Sequence, residues 1–234
     1  MYKILAICGS RRKKGNTISL LKQMQEAYLM LSDSVAFELL TPLDYSLLPS
    51  ETPEAPFLTG KDLIETMNLD DTLKLKDKLS RCNLAILASP TYYAAVSSDF
   101  KLLVDRFCHL AHLFYFSGKP CQTVVTSDGN GHSQVSNYIR MFCDGLGMVR
   151  IDEVVKTKGQ VLTDQEMKKI AQNGMDAIIT PSSITPSINM EILYRERKGI
   201  VRKQPDMSAE RKYWLDSGLF ACDSLQEYFD LKRG

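Results

Sequence analysis

Across residues 1–180, five short apolar runs alternate with segments of helical periodicity, and no other feature of the chain constrains its fold as tightly. The runs are Ile4 to Cys8, Val35 to Leu40, Asn83 to Ser89, Cys121 to Thr126 and Val149 to Val155. Between them, apolar residues recur at helical spacing: Leu20, Leu21, Met24, Ala27, Tyr28 and Leu31, then a helix over Asp70 to Arg81. A third helix carries Phe100, Leu103, Val104, Phe107, Leu110, Ala111 and Phe114 on its buried face. Val135, Ile139, Phe142 and Leu146 mark a fourth, ended by Gly145 and Gly147. The last core helix follows a capping box at Thr163 to Glu166 and shows Met167, Ile170, Ala171, Gly174 and Ile178 on one side. Such alternation predicts an α/β fold with a parallel sheet and helices on both faces. The nearly continuous apolar run from Asn83 suits a strand buried on both sides.

Two segments break the alternation. Residues 43–69 are rich in Pro, Ser, Thr and Glu and read as a long loop with short helical pieces, a feature that is uncommon and often functional. Residues 181–234 have no matching repeat and read as a C-terminal extension, packed on the 1–180 domain or on a partner subunit. Short helices are expected there around Ala209 to Leu215 and Leu219 to Leu231.

In an open parallel sheet, ligands bind beyond the carboxyl ends of the strands, where strand order reverses. Three chemically unusual loops follow strands and must emerge at that edge. The first, Gly9-Ser10-Arg11-Arg12-Lys13-Lys14-Gly15-Asn16-Thr17, leads straight into a helix, whose N-terminal N–H groups and partial positive charge favour an anion. Its spacing matches neither the dinucleotide fingerprint nor the triphosphate P-loop, which leaves a phosphomonoester held by hydroxyls and amides. The second, Ser89 to Ser98, carries Pro90, Thr91, Tyr92 and Tyr93; the tyrosines can contact a flat ring, and Ser97 or Ser98 can cap the next helix. The third, Ser127-Asp128-Gly129-Asn130-Gly131, has two turn signals whose glycines let backbone N–H groups approach a ligand. Together the three suit a mononucleotide bearing a flat ring.

Composition removes other classes. The chain has 234 residues, 44% of them hydrophobic, and a formal net charge of +1, so it gives no global electrostatic case for nucleic acid or an anionic membrane. No stretch approaches the ~18–20 apolar residues of a membrane span, and the N-terminus lacks a signal pattern, so a cytoplasmic location is expected. The six cysteines are scattered without a CxxC pair and read as reduced residues. Cys108 and His112 share a helix face with apolar residues and, without a third ligand, read as packing and not a metal site. His132 reads as a capping or solvent-facing residue.

The first and second loops, continuing through Ser97 and Phe100-Lys101-Leu102-Leu103-Val104-Asp105-Arg106, resemble the flavodoxin-like NAD(P)H-dependent FMN reductases, relatives of multimeric-flavodoxin quinone reductases and iron-sulfur flavoproteins. The resemblance covers residues 1–180. It implies a 2-1-3-4-5 sheet that binds FMN. Phosphate contacts would come from Ser10, Arg12, Gly15, Asn16, Thr17 and the Ile18 amide. Pro90, Thr91, Tyr92 and Tyr93 would border the isoalloxazine, with Ser127, Gly129, Asn130 and Gly131 beside the ring and ribityl chain. It also implies NAD(P)H as cosubstrate, a quinone or similar small electron acceptor, and a homodimer or higher assembly. Asp105 and Arg106 read as structural. No catalytic side chain is implied, because the flavin carries the chemistry.

The departures are specific. Iron-sulfur members carry clustered cysteines after the second strand, whereas no cysteine lies between Cys8 and Cys82 here, so no iron-sulfur centre is expected. Asp128 would bring a negative charge near the flavin. The rival readings are a non-enzymatic electron carrier, disfavoured by the near-neutral charge, and an interaction protein that has lost its cofactor.

Overall fold

In the computed structural model, which describes residues 1–233, five parallel strands form one sheet in the order β2-β1-β3-β4-β5. They are β1 (Tyr2–Cys8), β2 (Val35–Leu40), β3 (Leu84–Pro90), β4 (Pro120–Ser127) and β5 (Val149–Thr157). The chain steps outward from β1 to β2, then returns past β1 to add β3, β4 and β5. Strand order therefore reverses between β1 and β3, and the loops leaving those two strands flank the crevice.

Period-two side-chain alternation divides the core between two faces. On one, Ile4, Ala6, Ile86 and Val124 pack with residues of α1 (Asn16–Leu31) and α7 (Asp164–Ile179). On the other, Leu5, Ile7, Leu87 and Val125 meet α4 (Thr72–Arg81), α5 (Ser98–Ala111) and α6 (His132–Leu146). Each fully buried Leu, Ile or Phe contributes about 1.5–3 kcal/mol of transfer free energy. One polar network crosses the first face. The Tyr28 hydroxyl donates to Gln122 Oε1 (2.8 Å), and Gln122 Nε2 donates to Asp152 Oδ2 (2.9 Å) and to the Ile170 carbonyl (2.8 Å). Gly174 lies on the apolar side of α7 because a Cβ there would strike the Tyr28 hydroxyl.

Several expected boundaries shift for local reasons. The helix expected from Asp70 starts at Thr72, because Asp70 Oδ1 accepts the Thr72 N–H (2.9 Å) ahead of the first turn. Gly145 lies inside α6, and only Gly147 caps it, with φ 79°. Phe114 is not on the α5 face: the helix ends at Ala111, and Phe114 adopts φ 45° beyond it.

The insertion between β2 and α4 holds two short helices, α2 (Ala55–Thr59) and α3 (Leu63–Thr66). It is fastened to α5 by Arg106, whose Nη1 lies 2.6 Å from Asp62 Oδ2 and whose Nε lies 3.4 Å from Asp70 Oδ2, with both partners buried.

The C-terminal extension contains α8 (Ile188–Val201), α9 (Ala209–Asp216) and α10 (Leu225–Arg233), after a 3-10 turn at Pro181–Ser183. Of these, α8 was not expected, and α10 starts later than the expected Leu219. The extension builds its own core from Met190, Tyr194, Trp214, Leu225, Tyr228 and Phe229, and Phe114, from the segment between α5 and β4, inserts into it. Trp214 stacks on Tyr194 with ring centroids 5.7 Å apart. Among the described residues no helix is long and apolar enough to cross a membrane.

Candidate functional site

The three loops meet at the carboxyl edge of the sheet and are stitched to one another. Ser97, the N-cap of α5, donates its hydroxyl to the Gly9 carbonyl (2.5 Å), which joins the first loop to the second. The Thr91 N–H donates to the Thr126 carbonyl (2.8 Å), joining the second to the third. The Thr17 and Thr126 hydroxyls share a hydrogen bond of 2.6 Å, and Asn16 Nδ2 lies 3.4 Å from Asp128 Oδ1, closing the triangle.

A cavity of about 150 Å³ opens inside that triangle. Ser10, Arg12, Gly15, Asn16 and Thr17 line it from the first loop. Pro90, Thr91 and Tyr92 line it from the second, and Thr126, Ser127 and Asp128 from the third. Gly15 is the N-cap of α1 and brings no capping side chain, and the first turn holds no acidic residue. The N–H groups there are left for an anion. A Cβ at Gly15 would sit 3.1 Å from Arg12 Cβ, so glycine keeps this loop closely folded. Among the described residues Thr91 Oγ1 is buried without a hydrogen-bond partner, which is costly unless a ligand supplies one. Hydroxyls, one amide, free helix N–H groups and one cation form a donor set that fits the phosphate and polyol of a flavin mononucleotide.

The basic run divides. Arg12 lines the cavity, whereas Arg11 turns away to pair with Asp99 (2.9 and 2.7 Å), and Lys13 and Lys14 are exposed. Burial, opposed by a hydrogen bond from the backbone at Ser10, pushes the neighbouring Cys8 thiol up to about 11, so it stays protonated.

Ile18, Tyr93, Gly129, Asn130 and Gly131 lie beside the cavity instead of lining it. The Ile18 side chain is core. Tyr92 and Ala95 exchange backbone hydrogen bonds (2.9 and 3.0 Å) around a tight turn at Tyr93 and Ala94, which leaves Tyr93 fully exposed at the tip. Gly131 packs against that turn: a Cβ on it would lie 2.7 Å from Ala94 Cα. Gly131 is also the N-cap of α6, with φ 82°, so His132 is not a cap; its Nδ1 is buried without a partner among the described residues. Thr126 and Asp128 join the cavity. Thr126 reads in sequence as a strand residue, and its one positional signal is its place at the carboxyl end of β4.

The residues weighed for a metal have other partners. Cys108 Sγ donates to the Asp105 carbonyl (3.1 Å), and His112 Nδ1 lies 3.2 Å from Glu210 Oε1. Among the described residues no group of three His, Cys, Asp or Glu side chains could hold a metal ion.

A doubly covered parallel sheet of order 2-1-3-4-5, with an anion cradle at its switch point, defines a flavodoxin-like protein. The family model for NADPH-dependent FMN reductase matches residues 2–161, and the chain belongs to that family. It is therefore a flavin-dependent oxidoreductase. An iron-sulfur flavoprotein of Archaeoglobus fulgidus is 25% identical over 228 residues, covering 92% of this chain and 99% of the relative. One from Methanocaldococcus jannaschii is 30% identical over 104 residues, 44% of this chain and 51% of that relative. Two solved structures share the fold. An NADH:FMN oxidoreductase in its apo form has TM-score 0.53 and 20% identity, covering 81% of this chain and 94% of its own. RosB with a bound flavin intermediate has TM-score 0.59 and 12% identity, covering 89% and 90%.

Proposed function

We propose that this chain binds FMN in the three-loop cavity and passes electrons from NAD(P)H to a quinone or similar small acceptor. The observation carrying this reading is the closed triangle of loops around a donor-rich cavity at the free N-terminus of α1. Bound FMN supplies the hydride and electron chemistry. The side chains of Ser10, Asn16 and Thr17 and the Ile18 amide hold the phosphate, with Arg12 adding charge-assisted donors. Pro90, Thr91, Tyr92 and Tyr93 border the ring, and the Ser127 to Gly131 loop offers backbone donors to its polar edge.

Asp128 bears on energetics: a carboxylate near a group that gains negative charge on reduction disfavours the reduced form. NAD(P)H and the acceptor use the same open face in turn, which gives ping-pong kinetics. Flavin is the sole redox group in this reading, and the segment between β2 and α4 supplies no cysteine. The protein works in the cytoplasm as a homodimer or higher assembly, with the 1–180 unit holding the flavin and the 181–234 extension supporting it.

Flavin retention after purification tests the site. The Asn16→Ala, Thr17→Ala double variant should lose roughly two hydrogen bonds to the phosphate and bind flavin at least about tenfold more weakly. Neutralising Lys13 and Lys14 should leave flavin content unchanged. The reverse pattern, measured by absorbance of the folded proteins, contradicts the assignment.

A further inference from the structure

We infer that a second cavity, walled by α2, α5 and α9, binds an uncharged flat molecule of one or two rings carrying a hydroxyl or carbonyl oxygen. The cavity has a volume of about 200 Å³ and shares no lining residue with the flavin cavity. Its apolar wall comes from Phe57, Leu110 and Leu113, with the rings of Tyr115 and Tyr213 alongside. It stands toward the far end of α5, roughly 18 Å of helix from the Ser97 cap. Two of its three walls, α2 and α9, belong to the insertion and the extension, outside the five β-α units.

Size and charge set the ligand class. The volume lies below the roughly 300–1,000 Å³ of sites for drug-sized molecules, which leaves room for one or two rings. Besides the two tyrosines, the polar side chains on its wall are Lys76, His109 and Glu210. The two charged groups have polar neighbours. Lys76 Nζ lies 3.7 Å from Glu65 Oε2 and 5.1 Å from the centre of the Tyr115 ring. The Glu210 carboxylate is held by His112 Nδ1 (3.2 Å) and Gln204 Nε2 (2.7 Å). With one cation and one carboxylate on its wall, Lys76 and Glu210, the cavity is close to neutral, so a charged ligand would meet a like charge as well as an opposite one while losing its hydration in a half-buried space, which is unfavourable.

Donors are nonetheless left over. The Lys76 ammonium has three N–H groups and a single long ion pair. Burial and then the Lys76 charge push His109 down to about 4, so its imidazole is neutral; its one N–H is drawn to the Arg106 backbone, which leaves the other ring nitrogen as an acceptor. Phe57 meets His109 edge-on, at 6.4 Å between ring centres, making a rim that suits an aromatic face.

Calorimetric titration of the flavin-loaded, full-length chain with 1-naphthol tests this directly. The expected result is saturable single-site binding with no change in the flavin spectrum. 1-Naphthoate and decahydro-1-naphthol should bind at least about tenfold more weakly, the first for its charge and the second for its lost aromatic faces. Ala209→Leu, which fills the cavity, should abolish binding. Lys76→Met, which keeps the stem and removes the donor, should weaken it about three- to tenfold. Thermal unfolding checks that both variants fold; if Ala209→Leu does not, Lys76→Met and the two comparison ligands decide the matter. Absence of saturable binding overturns the inference, as does full affinity in Lys76→Met or in a folded Ala209→Leu. Binding that shifts the flavin spectrum also overturns it, since the ligand would then occupy the flavin cavity.

Discussion

Tyr93 and Ala94 hold φ angles of 48° and 58°, a left-handed pair in a two-residue turn where Asn-Gly would be the low-energy choice. Left-handed backbone costs roughly 1–2 kcal/mol per non-glycine residue, so this turn stores strain beside the cavity. Ala94→Gly should relieve part of it and raise stability by roughly 0.5–1 kcal/mol, read as a small rise in Tm; a lowered Tm contradicts this account of the turn. At this scale the sequence is legible where a residue's use is local. Ser10, Asn16 and Thr17 stand out because donors cluster between a strand and a helix. Thr126 does not, because its use depends on Thr17, a partner 109 residues away. The pairing of Arg11 is hidden for the same reason: its counter-charge, Asp99, lies on another element.

Among the elements, the insertion depends on one buried charge cluster. Arg106 and Asp62 are paired with side chains 1% and 4% exposed. Removing one partner strands the other, so Asp62→Asn should cost about 3 kcal/mol by urea unfolding; a loss below ~1 kcal/mol would assign the insertion's anchorage elsewhere.

His109, between that cluster and the second cavity, adds a pH dependence. Its imidazole titrates near 4 in the folded chain, because burial and then the Lys76 charge disfavour protonation, against about 6.5 unfolded. Between those values the unfolded chain binds more protons, so stability falls as pH drops from about 6.5 toward 4. His109→Gln should flatten that limb by on the order of 2 kcal/mol. An unchanged slope in urea titrations across the window would contradict a neutral buried His109. Neither effect is legible from sequence. Arg106 is recognisable there only as structural, since its acidic partners lie in a loop whose path is set by tertiary contact.

For the whole molecule, alternating apolar runs and helical periods led directly to the parallel sheet, and the resemblance supplied its order. The C-terminal extension was the least legible part. In α8 the buried Met190, Tyr194 and Val201 are interleaved with exposed Ile188, Ile192 and Ile200, so apolar residues lie on several sides and the helical period blurs. Phe114 carries no signal of leaving its helix either. Only with the extension folded does its ring acquire Tyr194 and Trp214 as neighbours, at 5.9 and 6.1 Å between ring centres. The extension thus forms a second layer on the side of α5 and α6, leaving the carboxyl edge of the sheet to the three loops.

Anaerobic titration of the flavin-loaded chain with NADPH, and separately with NADH, bears most directly on whether that edge serves a reductase. The flavin absorbance should bleach in proportion to at least one of the two nucleotides and recover when a quinone is added. A flavin that stays oxidised with excess of both nucleotides contradicts the proposed reaction, and the cavity would then hold flavin for a carrier.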